Sequence, residues 1–145
     1  MIKAVAEELF AALNARDFAK LDQLAPDVVE HNAVVVDAPT QGPGAFAKAM
    51  EQAFAAFPDL RLDVEDMIAE DDRVVVRLRV SATNTGDYRR GAPTGKGFTS
   101  EAYYVLRVAD GKVVETWGLG DRLAVLQQLG IVGSDDELAT VGRIG

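Results

Sequence analysis

The chain has 145 residues, a length that suits one domain with a sizeable core. It is 48% hydrophobic and 26% charged, and its net charge of −8 argues against nucleic acid or an anionic membrane surface as a partner. With no cysteine and one histidine, it excludes disulfides, thiolate zinc sites, a cysteine nucleophile and a multi-histidine metal site within one chain.

No apolar run approaches the ~18–20 residues of a membrane span. Glu7 and Glu8 stand where a signal peptide needs an apolar core, so a cytoplasmic protein is expected. Residues 3–15 read as a helix, with Val5, Leu9, Phe10 and Leu13 on one stripe. Asp17 is a good N-cap for a second short helix bearing Phe18, Leu21 and Leu24, which Pro26 ends. Val28 to Val36 reads as a strand that contains Glu30, His31 and Asn32. A loop rich in glycine and proline follows, and Pro43 or Gly44 opens a third helix with Phe46, Met50, Ala53, Phe54 and Phe57 inside.

Beyond Pro58 the period changes to two. Leu60, Leu62, Val64 and Ile68 are expected on the apolar face, with Asp66 marking a bulge. Arg73 to Thr85 and Phe98 to Val108 read as strands around the loop Gly86 to Gly97. Asp110-Gly111 is a hairpin turn into a strand that carries the sole tryptophan, Trp117. A short helix should follow Asp121, with Leu123, Leu126 and Leu129 on its apolar side. The expected architecture is α+β: three N-terminal helices and a curved, mostly antiparallel sheet wrapped around them. One domain is expected over residues 1–133, with a polar, loosely held tail over 134–145.

Parity puts Val74, Val76, Leu78, Val80, Phe98, Ala102, Tyr104, Leu106, Trp117 and Leu119 on a concave face that holds a core and a ligand pocket. The other face carries Arg77, Arg79, Thr99, Glu101, Tyr103 and Arg107, and is either solvated or the interface of a homodimer or higher homo-oligomer.

The order and spacing of these pieces resemble the NTF2-like cone folds, and among them the SnoaL-like polyketide cyclase and ester cyclase family. The matching residues are Ala25-Pro26-Asp27-Val28-Val29-Glu30-His31-Asn32, Thr85-Gly86-Asp87-Tyr88, Ala92-Pro93-Thr94-Gly95-Lys96, Asp110-Gly111-Lys112-Val113-Val114-Glu115-Thr116-Trp117 and Asp121-Arg122-Leu123. The resemblance covers about residues 3–130. It implies an intramolecular aldol-type ring closure on a hydrophobic, polyketide-like small molecule, without metal or organic cofactor. Asp121 would be the acid/base and His31 would lie near it. Asn84 and Thr116 stand where relatives often carry histidine.

Aldol closure needs a base for a proton α to a carbonyl and a donor for the developing oxyanion. Asp121 suits the first role if Trp117 and Leu119 surround it with apolar groups; it is equally a good N-cap for the helix at Arg122. His31 either serves the site or is a packed strand histidine. Tyr104 is an oxyanion donor or a packed ring with its hydroxyl satisfied. Asn84 is a donor to substrate or a strand-end turn residue. Trp117, Leu119, Phe54, Phe98 and Met50 are expected in the pocket wall. Ser100 also has inward parity, and Glu115 is expected at the rim. Arg89 and Arg90 are placed to steer an anion. Two other functions fit the same residues. One is a binding domain without chemistry. The other is epoxide hydrolysis or isomerisation, which needs a second carboxylate near Asp121; Asp66 and Glu30 are the candidates.

Overall fold

Among the described residues, five strands form one curved, unclosed sheet, and the N-terminal helices pack against its concave face. The structure, a computed structural model, describes residues 1–31, 41–88 and 91–141. The elements are α1 (Ile2–Ala15), α2 (Phe18–Leu24), β1 (Val29–Glu30), α3 (Ala45–Ala56), β2 (Arg61–Glu70), β3 (Arg73–Thr83), β4 (Gly97–Ala109), β5 (Lys112–Gly120), α4 (Arg122–Gln128) and α5 (Asp135–Val141). Strands β2 to β5 are an antiparallel meander, and β1 adds in parallel beside β5. The expected strand beyond His31, with Asn32, lies outside the described residues, as do Arg89 and Arg90.

Local chemistry accounts for the joints. Arg16 closes α1 in a left-handed conformation, φ 58°, and its guanidinium donates to the carbonyls of Pro58 and Leu60 while lying 3.8 Å over the Phe54 ring. Asp17 caps α2 by accepting from the Lys20 N–H. Asn14 donates to the Leu62 carbonyl and accepts from its N–H, both at 2.9 Å, so a helix side chain pairs part of the free edge of β2. Asp110 and Gly111 both have positive φ, as a tight two-residue hairpin requires.

The β2 bulge falls between Val64 and Asp66 and reverses the strand's parity. Met67 therefore pairs with buried Val76 on the inner face, and Ile68, expected inside, is 64% exposed on the outer one. In α4, Leu123 is exposed, and Val125 and Leu126 pack against the core with fully buried Leu129. The segment after Gly133 carries the helix α5. Ser134 and Glu137 form a reciprocal capping box that opens α5, and Gln127 of α4 bonds Asp135.

Candidate active site

The inner face of the sheet is read directly from the strand register. Its cross-strand rows are Val74–Leu106–Thr116–Glu30, Val76–Tyr104–Gly118 and Leu78–Ala102–Gly120. Between this face and the helices lies a cavity with about 110 Å³ open to the centres of water-sized molecules. Its walls are mostly apolar: Leu9, Phe10 and Leu13 of α1, Phe46 and Met50 of α3, and Phe57, Phe98 and Leu106. Among the described residues that line it, Glu30, Tyr88, Ser100, Tyr104, Thr116, Asp121 and Arg122 are those with polar side chains.

Asp121 lines the cavity and is also exposed, so it stands at the opening. Its Oδ1 accepts the Ala124 N–H at 3.0 Å, capping α4. The cap and the cavity position therefore coexist in one residue. The apolar shell expected around it is different from the sequence reading. Trp117 and Leu119 lie on the outer face, because β5 pairs Trp117 with Val105 and Leu119 with Tyr103. Leu119 is 72% exposed. Parity counted from Trp117 is internally consistent but assigns the face the wrong way round; Thr116, Gly118 and Gly120 are the inward set.

His31 follows the same correction. It stacks on Trp117 with ring centroids 4.6 Å apart and planes 6° apart, on the outer face. Its Nε2 lies 2.7 Å from Glu115 Oε2, and Arg107 Nε donates to the other oxygen at 2.6 Å. The hydrogen bond from His31, then that from Arg107, hold the Glu115 carboxyl below its ordinary range. His31 and Asp121 are thus on opposite sides of the sheet.

Asn84 is fully buried outside the cavity wall. Its amide donates to the carbonyls of Ala56 and Gly86, and its oxygen accepts the Thr94 N–H. Backbone of α3 and of the β3–β4 connection engages its polar atoms, so it holds that loop and does not line the cavity. Phe54 also lies outside the cavity, edge-on to Phe18 and under Arg16. Met50, Phe98, Tyr104 and Ser100 line the cavity. Asp66 is exposed on the outer-face row with Arg77 and bonds the Met67 N–H.

Glu30 lines the same cavity as Asp121. Alternation around β1 sends Val29 and His31 outward and Glu30 inward, beside Thr116. Burial raises its pKa above the ordinary value. Tyr104 has its hydroxyl pushed up to about 12, by burial first and by the Glu30 charge second, so it stays a neutral donor. Gly118 makes room for that ring. A Cβ built there would sit 2.5 Å from Tyr104 Cε1 and 2.9 Å from Cζ, so the hydroxyl-bearing end of the ring lies across β5. Phe10 packs edge-on against the ring at 6.4 Å between centroids. Among the described residues, no three histidine, aspartate or glutamate side chains gather closely enough to hold one metal ion.

A curved α+β cone with an apolar cavity lined by Glu30 and Asp121 defines a fold of the NTF2-like type. The family model for SnoaL-like polyketide cyclases matches residues 3–129, and the chain belongs to that family. Its curated relatives include the aklanonic acid methyl ester cyclase DnrD of Streptomyces peucetius, 28% identical over 116 residues that span 79% of this chain and 76% of DnrD. Among solved structures, AclR of Streptomyces galilaeus, described as a proposed hydroxylase, is 34% identical with a TM-score of 0.76, covering 91% of this chain and 97% of AclR. IdmH of Streptomyces antibioticus, described as a proposed polyketide cyclase, is 28% identical with a TM-score of 0.76, covering 90% of this chain and 99% of IdmH.

Proposed function

We propose that the protein closes a carbocyclic ring in a hydrophobic, polyketide-like small molecule by an intramolecular aldol-type reaction without a cofactor. One observation carries the reading: in a chain of the cyclase family, an apolar cavity receives a carboxylate, Asp121, that a helix cap holds in place at its opening. One oxygen of Asp121 is engaged in the cap, and the other is the base for a proton α to a substrate carbonyl. The apolar walls hold the chain folded, so that the new carbanion and its target carbonyl approach each other. The neutral hydroxyl of Tyr104 donates to the oxyanion that develops.

The test is turnover of a linear substrate bearing a β-keto ester and a distal ketone, read by mass spectrometry and carbon NMR. Ring closure gives a product of unchanged mass with one new carbon–carbon bond. Gain of one oxygen atom would instead match the description of AclR and would sink the cyclase reading. Tight binding without turnover would leave a binding domain.

We also propose that a second copy of this chain covers the outer face of the sheet. The apolar row Ile68–Val75–Val105–Trp117 crosses four strands there, flanked by the row Asp66–Arg77–Tyr103–Leu119. A two-fold axis along the strands, between β3 and β4, sets β3 of each copy over β4 of the other. Val75 then meets Val105, Arg77 meets the Tyr103 ring and Arg79 meets Glu101, each pair formed twice. That self-complementarity supports a homodimer.

A further inference from the structure

We infer that Glu30 is the donor to a buried carbonyl oxygen of the ligand and, in ring closure, the group that protonates it. The inference rests on the cyclase reading for its catalytic half, whereas the binding half stands on the cavity alone. Three observations place it. Glu30 is the inward residue of β1 and lines the same cavity as Asp121. Among the described residues, no ion pair involves it. And Gly118 lets the hydroxyl end of Tyr104 lie across β5, the strand that separates Tyr104 from β1.

The two carboxylates have different surroundings. Asp121 is exposed at the opening, and its carboxylate accepts a backbone N–H. Glu30 is desolvated, which favours its protonated form. A pair of carboxyls with divergent environments is the usual basis for dividing acid and base roles. The titratable and charged groups that share the cavity with Glu30 are Tyr88, Tyr104, Asp121 and Arg122; α1 presents apolar side chains. On the far side of β1 and β5, His31, Glu115 and Arg107 are engaged with one another.

The Asp121 carboxylate takes the α proton, and the C–H electron pair forms the new carbon–carbon bond to the distal carbonyl carbon. The carbonyl π pair moves to oxygen, which takes the proton of the Glu30 carboxyl and becomes a hydroxyl. Transfer of the proton from Asp121 to Glu30 through solvent restores both groups.

The test uses the full chain and an apolar ketone probe, an acetyl-dimethylaminonaphthalene, whose emission moves to longer wavelength when its carbonyl accepts a hydrogen bond. Its affinity is measured across pH for the wild type, Glu30→Gln and Asp121→Asn. In the wild type, affinity should fall about tenfold or more as pH rises through the Glu30 titration. Glu30→Gln keeps an N–H donor that does not titrate, so its affinity should be flat. Asp121→Asn should keep the wild-type fall. A flat wild-type profile, or a fall that survives in Glu30→Gln, overturns the inference. Ring closure at an undiminished rate in Glu30→Gln overturns it for catalysis, with the cyclase reading intact. A wild type with pH-dependent binding and no ring closure sinks the cyclase reading and leaves Glu30 as the carbonyl donor of the cavity.

Discussion

Glu30 shows how one residue couples stability to the site. Its pKa in the folded chain lies above the ordinary glutamate value because burial penalises the charged form. Between the unfolded and the folded pKa, the native state therefore holds more protons than the unfolded one, and stability falls as pH rises through that window. Below the unfolded value there is no penalty; above the folded value it is constant. Glu30→Gln is accordingly expected to match the wild type in melting temperature near pH 4 or below, and to exceed it near pH 7. Thermal unfolding of both proteins across pH checks this, and equal melting temperatures at both ends would contradict it. The sequence showed Glu30 only as one of two spare carboxylates, because its value depends on which way a two-residue strand faces. Asn84 shows the converse: its residue type suits a substrate donor, but only the fold reveals that three backbone groups already occupy it.

At the scale of elements, β5 decides what the cavity contains. Its sequence alternates so cleanly that either face is a plausible inner one, and the bulky Trp117 draws the assignment inward. The partner strand settles the matter, since buried Leu106 pairs with Thr116 and Tyr104 with Gly118. The small inward residues leave the space that the tryptophan was expected to fill. Gly118→Ala should cost about 1–3 kcal/mol through overpacking against Tyr104. It should also lower activity by moving the hydroxyl. In a double-mutant cycle, Tyr104→Leu should remove most of the stability penalty, and additive losses would contradict the contact. The meander, the bulge near Asp66, the Asp110-Gly111 hairpin and the Asp17 and Asp121 caps were all legible, because each rests on short-range chemistry. Helix α5 rests on the Ser134–Glu137 capping box within a stretch whose polar composition reads as a tail.

Across the whole molecule, the sheet separates two surfaces. The inner one holds the cavity; the outer one holds the apolar row and the His31–Glu115–Arg107 cluster. Val75 is 37% exposed at the middle of the outer row, so Val75→Arg should leave the fold intact and weaken self-association about tenfold or more. Sedimentation at micromolar concentration reads this; a monomeric wild type, or an unaffected variant, would contradict the two-fold arrangement. Fold class followed from element order alone, whereas the composition of the site required the register, which no single strand encodes. The most direct measurement of the central claim is a pH–rate profile of ring closure for the wild type and Asp121→Asn. Removing the base should lower kcat/KM by about 10²–10⁴-fold across the profile. Equal rates in the two proteins would contradict the assignment of Asp121 and, with it, this account of the reaction.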